Sequence, residues 1–280
     1  MSRALVLGGG GVAGIAWEIG LLLGLQEAGV DVTNADRIIG TSAGAAVAAQ
    51  VTSGVPLTDL YDRQASGEAA KHEIAADFDP ESMMVTFGKI LAKVVPGSAM
   101  NRAIGRYALH ASTVPEAARR DVIAARLPVH EWPERDLSVT AMDAQSGRPR
   151  VFTAADGVPL VDAVAASCAV PGIWPPVSIA GRRYIDGGMR STSNADLAEG
   201  SDSILVVMPI AELPMIASTV KRAIERLTDN ADVVTIQADI DSVAAMGNNP
   251  LDPAAVVPSA DAGRRQATHH VADVMALWKK

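Results

Sequence analysis

The chain has 280 residues, a formal net charge of −8 at pH 7 and one cysteine, Cys168. The acidic balance argues against nucleic acid as a partner and against a standing attraction to anionic bilayers. A single cysteine excludes an intrachain disulfide, so we expect Cys168 to be a small buried core residue in a fold that does not need an oxidising compartment.

The chain opens with a strand, a glycine-rich loop and a helix. Residues 4–7 form an apolar run typical of a strand, and five glycines follow between residues 8 and 14. Residues 15–28 then place apolar side chains at helical spacing and end at Gly29, a common helix terminator. We therefore predict a helix over residues 15–28.

Three roles suit a glycine loop between a strand and a helix. Gly9, Gly11 and Gly14 fit the G-x-G-x-x-G spacing of a dinucleotide site, which also needs an acidic residue about 20 positions further on. Asp31 and Asp36 are near enough not to exclude a dinucleotide site, but the following strand ends in a serine turn instead. The loop can instead offer bare backbone N–H groups to an oxyanion, or it can simply pack the helix on the strand.

A second strand-to-helix turn contains a G-x-S-x-G motif formed by Gly40, Ser42 and Gly44. Residues 37–39 predict a short buried strand, and the alanine-rich residues 43–51 predict a helix. The two glycines let neighbouring backbone crowd the turn, which pushes the serine hydroxyl into a cleft. The hydroxyl would lie at a helix N-terminus, where free N–H groups meet developing negative charge.

Residues 55–136 differ in character from the rest of the chain. Charged residues and mid-length helical stretches replace the strand pattern, which predicts an inserted helical cap over the serine. Met83, Met84 and Phe87 would give this cap a pliable wall for acyl chains, or they are ordinary core residues.

The remaining chain alternates strands with helices, which predicts a mostly parallel sheet covered on both faces. Residues 177–179 and 183–185 flank a turn and predict a hairpin whose second strand holds Asp186 at its end. The other predicted elements are strands over residues 137–141, 203–208 and 233–236, and helices over residues 219–228 and 264–278.

These motifs, taken in order, resemble the patatin-like phospholipase family. The glycine loop comes first, the serine turn second, and Asp186-Gly187-Gly188 last. Residues 165–177 are similar to the third block of that family. The resemblance covers about residues 4–210, and it implies a single acyl hydrolase domain over residues 1–280 with a three-layer α/β/α fold.

The resemblance also implies a Ser-Asp dyad that cleaves acyl esters of lipids through an acyl-enzyme, with no cofactor and no metal. Carried over residue by residue, Ser42 is the nucleophile and Asp186 is its base. The implied oxyanion hole is Gly9, Gly10 and Gly11, and the other motif glycines are Gly14, Gly40, Gly44, Gly187 and Gly188.

One position departs from the pattern of the family. Many relatives carry Arg or Lys just before the last glycine of the loop, and this chain has Ala13. The departure weakens an assignment to phospholipids more than an assignment to esters in general. Arg182, Arg183 and Arg190 lie near the Asp186 motif and offer positive charge from elsewhere.

The residues themselves also favour a dyad. A serine hydroxyl needs a neighbouring base, which is usually histidine. No motif suggests a triad role for any of the five histidines, which are His72, His110, His130, His269 and His270. Because a carboxylate is a weak base for serine, burial should raise the pKa of Asp186, or the oxyanion hole must carry much of the work.

A second class of function stays open, a non-catalytic or nucleotide-binding α/β module that shares only the glycine loop. The presence of both Ser42 and Asp186 favours the hydrolase. Residues 4–25 are apolar, but five glycines and Glu18 argue against a membrane span. We expect a cytoplasmic protein that takes a lipid or acyl-ester substrate and touches membranes transiently through the cap.

Overall fold

The computed structural model describes residues 1–76, 80–92, 97–212 and 214–279. Within them, eight strands form one sheet. The strands are β1 (Arg3–Leu7), β2 (Arg37–Thr41), β3 (Asp136–Asp143), β4 (Pro149–Phe152), β5 (Val177–Ile179), β6 (Arg182–Asp186), β7 (Ser203–Met208) and β8 (Asp232–Gln237).

The sheet is parallel at its centre and antiparallel at one side. Its order is β5-β6-β3-β2-β1-β7-β8, with β4 also paired to β3. The strands β3, β2, β1, β7 and β8 run parallel, whereas β4, β5 and β6 are antiparallel to their neighbours. Leu7 pairs with Gly40 on one side and Val207 on the other, so these three strands end level and the loops after them meet at one edge.

The described residues form eleven α-helices joined by loops and short 3₁₀ helices. The helices are α1 (Gly11–Glu27), α2 (Ala43–Val51), α3 (Leu57–Ala65), α4 (Pro80–Leu91), α5 (Ser98–His110), α6 (Glu116–Arg126), α7 (Leu160–Ser167), α8 (Pro214–Thr228), α9 (Ile240–Met246), α10 (Val256–Ala267) and α11 (Val271–Trp278). In the part of the chain that the structure covers, no helix has the length and apolar character needed to span a bilayer.

Both faces of the sheet are buried, which makes the fold a three-layer α/β/α arrangement, as predicted. Side chains alternate along β1, because successive residues of a strand point to opposite faces. Leu5 and Leu7 join a core that α1, α2 and α10 cover, whereas Ala4 and Val6 join a second core under α8. This two-sided burial explains the continuous apolar run that predicted the strand.

Helix α1 begins earlier than predicted, at Gly11 rather than at residue 15. It is apolar around most of its circumference and packs closely on α10. A Cβ atom added at Gly20 would collide with the backbone of Ala260, and one added at Gly263 would collide with the backbone of Trp17. The close approach of the two helices therefore depends on glycine at their contact.

One predicted helix needs correction, and one strand was missed. The helix predicted over residues 264–278 is two helices, because α10 packs on α1 while α11 packs on β7 and β8. The chain turns between them at residues 268–270. Strand β4 was not predicted, since it is only four residues long and begins with Pro149, which cannot donate to a ladder.

Candidate active site

The glycine loop follows β1 at the carboxyl edge of the sheet. Its backbone is tied down on two sides, since Gly8 N–H donates to Val207 O over 2.9 Å and Gly9 N–H donates to Thr192 O over 2.8 Å. The N–H groups of Gly10 and Gly11 make no backbone hydrogen bond with any residue the structure describes. Of the three predicted oxyanion donors, Gly9 is therefore excluded, because its N–H already donates to Thr192 O. Gly10 and Gly11 remain as candidate donors.

Gly11 has to be glycine for two reasons. Its φ of +64° lies in the left-handed region, and an added Cβ atom would run into the backbone of Pro250 and the side chain of Leu251. Ala13 N–H donates to Pro250 O over 3.0 Å, and the Ala13 side chain is fully buried. The loop is thus held by a backbone contact at the position where many relatives place a cation.

Ser42 forms the turn between β2 and α2, as predicted. Its φ of 54° is a conformation that costs a non-glycine residue about 1–3 kcal/mol. Three hydrogen bonds hold this turn. Ser42 N–H donates to Ser167 Oγ over 2.8 Å, the Cys168 thiol donates to Ser42 O over 3.2 Å, and Gly44 N–H donates to Gly8 O over 2.8 Å.

Asp186 ends β6 and is 3% exposed. Its backbone N–H donates to Ala169 O over 3.0 Å, and its Oδ1 accepts from Gly188 N–H over 2.7 Å. The Ser42 side chain lies beside this carboxylate and favours its ionised form. Burial raises the pKa of Asp186 to about 7, although the hydrogen bond from Gly188 and the neighbouring Ser42 side chain act in the opposite direction. The structure therefore brings the two predicted residues into contact.

Asn194 is a site residue that the motifs did not reveal. It is fully buried, and its Nδ2 donates to Thr41 Oγ1 over 3.0 Å and to Ser191 O over 2.7 Å. Longer contacts run to Thr140 Oγ1 and to Gly187 O. The side chain thereby links the strand before Ser42 to the turn after Asp186. A polar run, Ser191-Thr192-Ser193-Asn194, was the only sequence signal available.

Glu18 is a second missed residue, buried beneath the glycine loop. Its Oε1 accepts from Gly8 N–H over 3.0 Å, whereas its Oε2 has no hydrogen-bond partner in the described part of the chain. Burial raises the pKa of this carboxyl well above its usual range, and the hydrogen bond from Gly8 only partly offsets that effect. Burial thus favours the protonated form of Glu18, which supports the loop through Gly8.

A cleft of about 240 Å³ opens above these groups. Apart from Ser42, Asp186 and Thr192, the residues that line it are glycine or apolar. Helix α4 contributes Met83 and Phe87, while the side chain of Met84 lies outside the described part of the structure. No histidine is among the lining residues. The described part of the structure thus contains an apolar cleft above a serine and a buried carboxylate.

The arginines near Asp186 do not line the cleft, and each contacts another group. Arg182 Nη1 lies 2.8 Å from Asp143 Oδ2, and Arg183 Nη2 donates to Pro176 O over 2.6 Å. Arg190 pairs with Asp196. None of the three supplies free positive charge at the serine.

The acidic residues that a dinucleotide site would need stand at the wrong edge of the sheet. Asp31 and Asp36 precede β2, whereas the glycine loop follows β1 at the opposite, carboxyl edge. Asp36 Oδ2 accepts from Arg3 N–H over 2.7 Å, and Asp31 Oδ1 accepts from Thr33 N–H over 2.9 Å. The carboxyl end of β2 carries Ser42 instead of an acid.

The fold and the site together define a three-layer α/β protein with a serine on a strand-to-helix turn beside a glycine loop. The family model for patatin-like phospholipase matches residues 5–199, more than half of the chain. The chain belongs to the patatin-like phospholipase family, and it is an enzyme of the lipid esterase and phospholipase class.

Solved structures with a similar fold include VipD from Legionella pneumophila, at 14% identity with a TM-score of 0.46, covering 96% of this chain and 67% of that one. Another is the type III effector protein ExoU, at 18% identity with a TM-score of 0.43, covering 98% and 53% respectively. Full-length ExoU in complex with SpcU, from Pseudomonas aeruginosa, matches at 17% identity with a TM-score of 0.41, covering 98% and 52%. This chain spans about half the length of ExoU.

Proposed function

We propose that the protein hydrolyses acyl esters of lipids with Ser42 as nucleophile and Asp186 as its base. The observation that carries the proposal is that Ser42 and the buried Asp186 line the same cleft, where the Ser42 side chain acts on the Asp186 carboxylate. A carboxylate whose pKa is raised to about 7 by burial is a far better proton acceptor than a solvated one. The apolar cleft above it suits an acyl chain.

In the proposed reaction, Ser42 Oγ attacks the ester carbonyl carbon while its proton passes to Asp186. The carbonyl oxygen becomes an oxyanion, for which the N–H groups of Gly10 and Gly11 and the N-terminus of α2 supply positive charge. When the C–O bond of the ester breaks, the departing alcohol takes the proton from Asp186. Water then attacks the acyl-enzyme, gives a proton to Asp186, and releases the fatty acid as Ser42 regains its proton.

We also propose that the protein is cytoplasmic and that it contacts membranes transiently. Helix α4 lines the cleft with Met83 and Phe87, and its Val85 side chain, which lies outside the cleft lining, is half exposed. Ile210 lines the cleft and is 36% exposed. Apolar residues at a cleft mouth favour transient contact with a lipid surface. Sedimentation with neutral vesicles tests this, because a Val85→Ser variant should bind less; equal binding would refute the contact.

Turnover of an acyl ester by the wild type, Ser42→Ala and Asp186→Asn tests the dyad. Each variant should lose about 10³-fold or more in kcat, because the nucleophile and its base act as a unit. Wild-type kcat/KM should rise with pH through about 7, where Asp186 becomes ionised. Ser53→Ala, at the other end of α2, is the control that should keep full activity. A folded Asp186→Asn protein with near wild-type turnover would refute the proposal.

A further inference from the structure

A small side cavity adjoins the cleft at Ser42. Its volume is about 10 Å³, which is room for roughly one oxygen atom or water molecule. The cleft and the side cavity share Gly11, Ser42, Val170 and Leu251 as walls. A group on a substrate whose ester lies at Ser42 is therefore within reach of the side cavity.

Two residues line the side cavity with buried donors that lack an acceptor. The side chain of Arg119 is 5% exposed, and its Nε and Nη1 donate no hydrogen bond to any described residue. Within the same described residues, the Nε1 of Trp174 also has no partner. Each unpaired buried donor costs about 1–3 kcal/mol. Three such donors, on two residues that line one cavity, favour an oxygen acceptor as its occupant.

The charge around the side cavity is positive. Glu73 is already paired with Arg126, whose Nε and Nη2 each lie 2.6 Å from a different oxygen of that carboxylate. The Nη1 of Arg119 is 3.6 Å from Glu73 Oε2, which is too far for a hydrogen bond. Two arginines thus share one carboxylate, so the three groups together carry a net positive charge.

Arg119 is also held rigidly in place. Its guanidinium stacks on the Trp174 ring, with 3.8 Å between Cζ and the ring centroid. Burial lowers the pKa of Arg119 to about 9, with a further contribution from Arg126, so the group stays cationic at pH 7. A fixed, desolvated guanidinium with free N–H groups is the side chain best suited to a carboxylate or phosphate oxygen.

We propose that Arg119 and Trp174 bind an anionic oxygen, from a phosphate or a carboxylate carried by the substrate, in the side cavity beside Ser42. The proposal rests on the proposed ester hydrolysis and assigns Arg119 and Trp174 as residues that select its substrates. Arg119, on α6, supplies positive charge to the site, whereas the glycine loop supplies none.

Binding of non-hydrolysable ligands tests the proposal without any turnover. Calorimetry would compare dodecyl phosphate, dodecanoate and dodecanol on the wild type, Arg119→Met and Trp174→Phe. The wild type should bind one of the anions about 10- to 100-fold more tightly than the alcohol, and the tighter anion identifies phosphate or carboxylate. Arg119→Met should lose this preference, and Trp174→Phe should lose part of it. Arg120→Met is the matched control and should keep it, because exposed Arg120 pairs with Asp162 instead.

Equal affinity of the wild type for all three ligands would overturn the proposal and would leave a cavity that holds water only. The proposal also fails if Arg119→Met weakens binding of the alcohol as much as binding of the anions. If Arg119→Met does not fold, Trp174→Phe and Arg119→Lys decide the question. A wild type that prefers an anion but turns over no ester would refute the proposed hydrolysis and leave the anion site standing.

Discussion

The floor and the wall of the cleft are built in different ways. The floor consists of the turns after β1, β2 and β6, and hydrogen bonds cross between these turns, including Gly44 N–H to Gly8 O over 2.8 Å. The wall consists of side chains such as Met83, Phe87 and Leu251, which meet the cleft through apolar contacts. Backbone geometry therefore places the reacting groups, whereas replaceable side chains shape the space for the substrate.

The floor should contain a group that lowers stability, namely Asp186. Its folded pKa of about 7 exceeds the unfolded value of about 3.9, so folding favours the protonated form. The wild type is therefore relatively stabilised below about pH 4 and loses that stabilisation as pH rises through about 7. Asp186→Asn should be more stable than the wild type at pH 8, by up to about 4 kcal/mol, and should show little difference at pH 4.

Urea unfolding at both pH values measures this effect, and Asp143 gives a control of opposite sign. Burial raises the pKa of Asp143, but hydrogen bonds from Ser146, Arg182 and Gln145 outweigh it and leave the pKa lowered. Asp143→Asn should therefore destabilise the protein at pH 8 and have less effect at pH 4. An Asp186→Asn variant that is less stable than the wild type at pH 8 would contradict the account of the floor.

Glu18 tests whether the floor depends on a neutral acid beneath the loop. Glu18→Ala should lose about 2–4 kcal/mol of stability, because it leaves a cavity and removes an acceptor from Gly8 N–H. Glu18→Gln keeps that acceptor without a titrating proton and should stay within about 1 kcal/mol of the wild type. Denaturant unfolding measures both, with exposed Glu27→Ala on the same helix as the control. A Gln variant as damaged as the Ala variant would mean that Glu18 is ionised.

Asn194 tests whether the turns after β2 and β6 are held as one unit. Asn194→Ala should cost about 1–3 kcal/mol of stability, because buried Thr41, Thr140 and Gly187 lose a shared donor. It should also lower kcat more than it raises KM, since it shifts reacting groups rather than the apolar wall. Asn230→Ala, at an exposed position, is the control. An unchanged kcat would show that each turn holds its own position.

The smallest effects should come from the wall. Met83→Ala enlarges the cleft, and we expect it to change the preference between short and long acyl chains by about three- to tenfold, with little effect on stability. Relative kcat/KM on esters of increasing chain length measures this preference. Val243→Ala, at an exposed position on α9 outside the cleft lining, is the control. If both variants give the same chain-length profile, Met83 does not contact the acyl chain.

The sequence predicted the floor better than the wall for a physical reason. Strands β2, β5 and β7 and helix α2 depend on local patterns, which are apolar runs, glycines and turn dipeptides, whereas the pairing of Ser42 with Asp186 was implied by the resemblance to a family. Asn194, Glu18 and Arg119 act across distances of many residues, and nothing local marks them. The same limit applies to α10 and α11, which were predicted as one helix because their separate packing partners lie elsewhere in the chain.

The same limit applies to the predicted site residues. The structure brings Ser42, Asp186 and the glycine loop together, and it shows that Gly9 N–H is engaged with Thr192. That hydrogen bond links residues far apart in sequence, so the loop motif could not reveal it. Cys168 is buried as predicted, and its thiol also donates to the backbone of Ser42.

Intact mass after exposure to a fluorophosphonate probe tests the central claim most directly, because it needs no knowledge of the natural substrate. The wild type should gain one adduct, which is absent in Ser42→Ala and much slower to form in Asp186→Asn. Ser53→Ala should label like the wild type. A folded wild type that gains no adduct, or an adduct that persists in Ser42→Ala, would contradict the account that Ser42 is a nucleophile activated by Asp186.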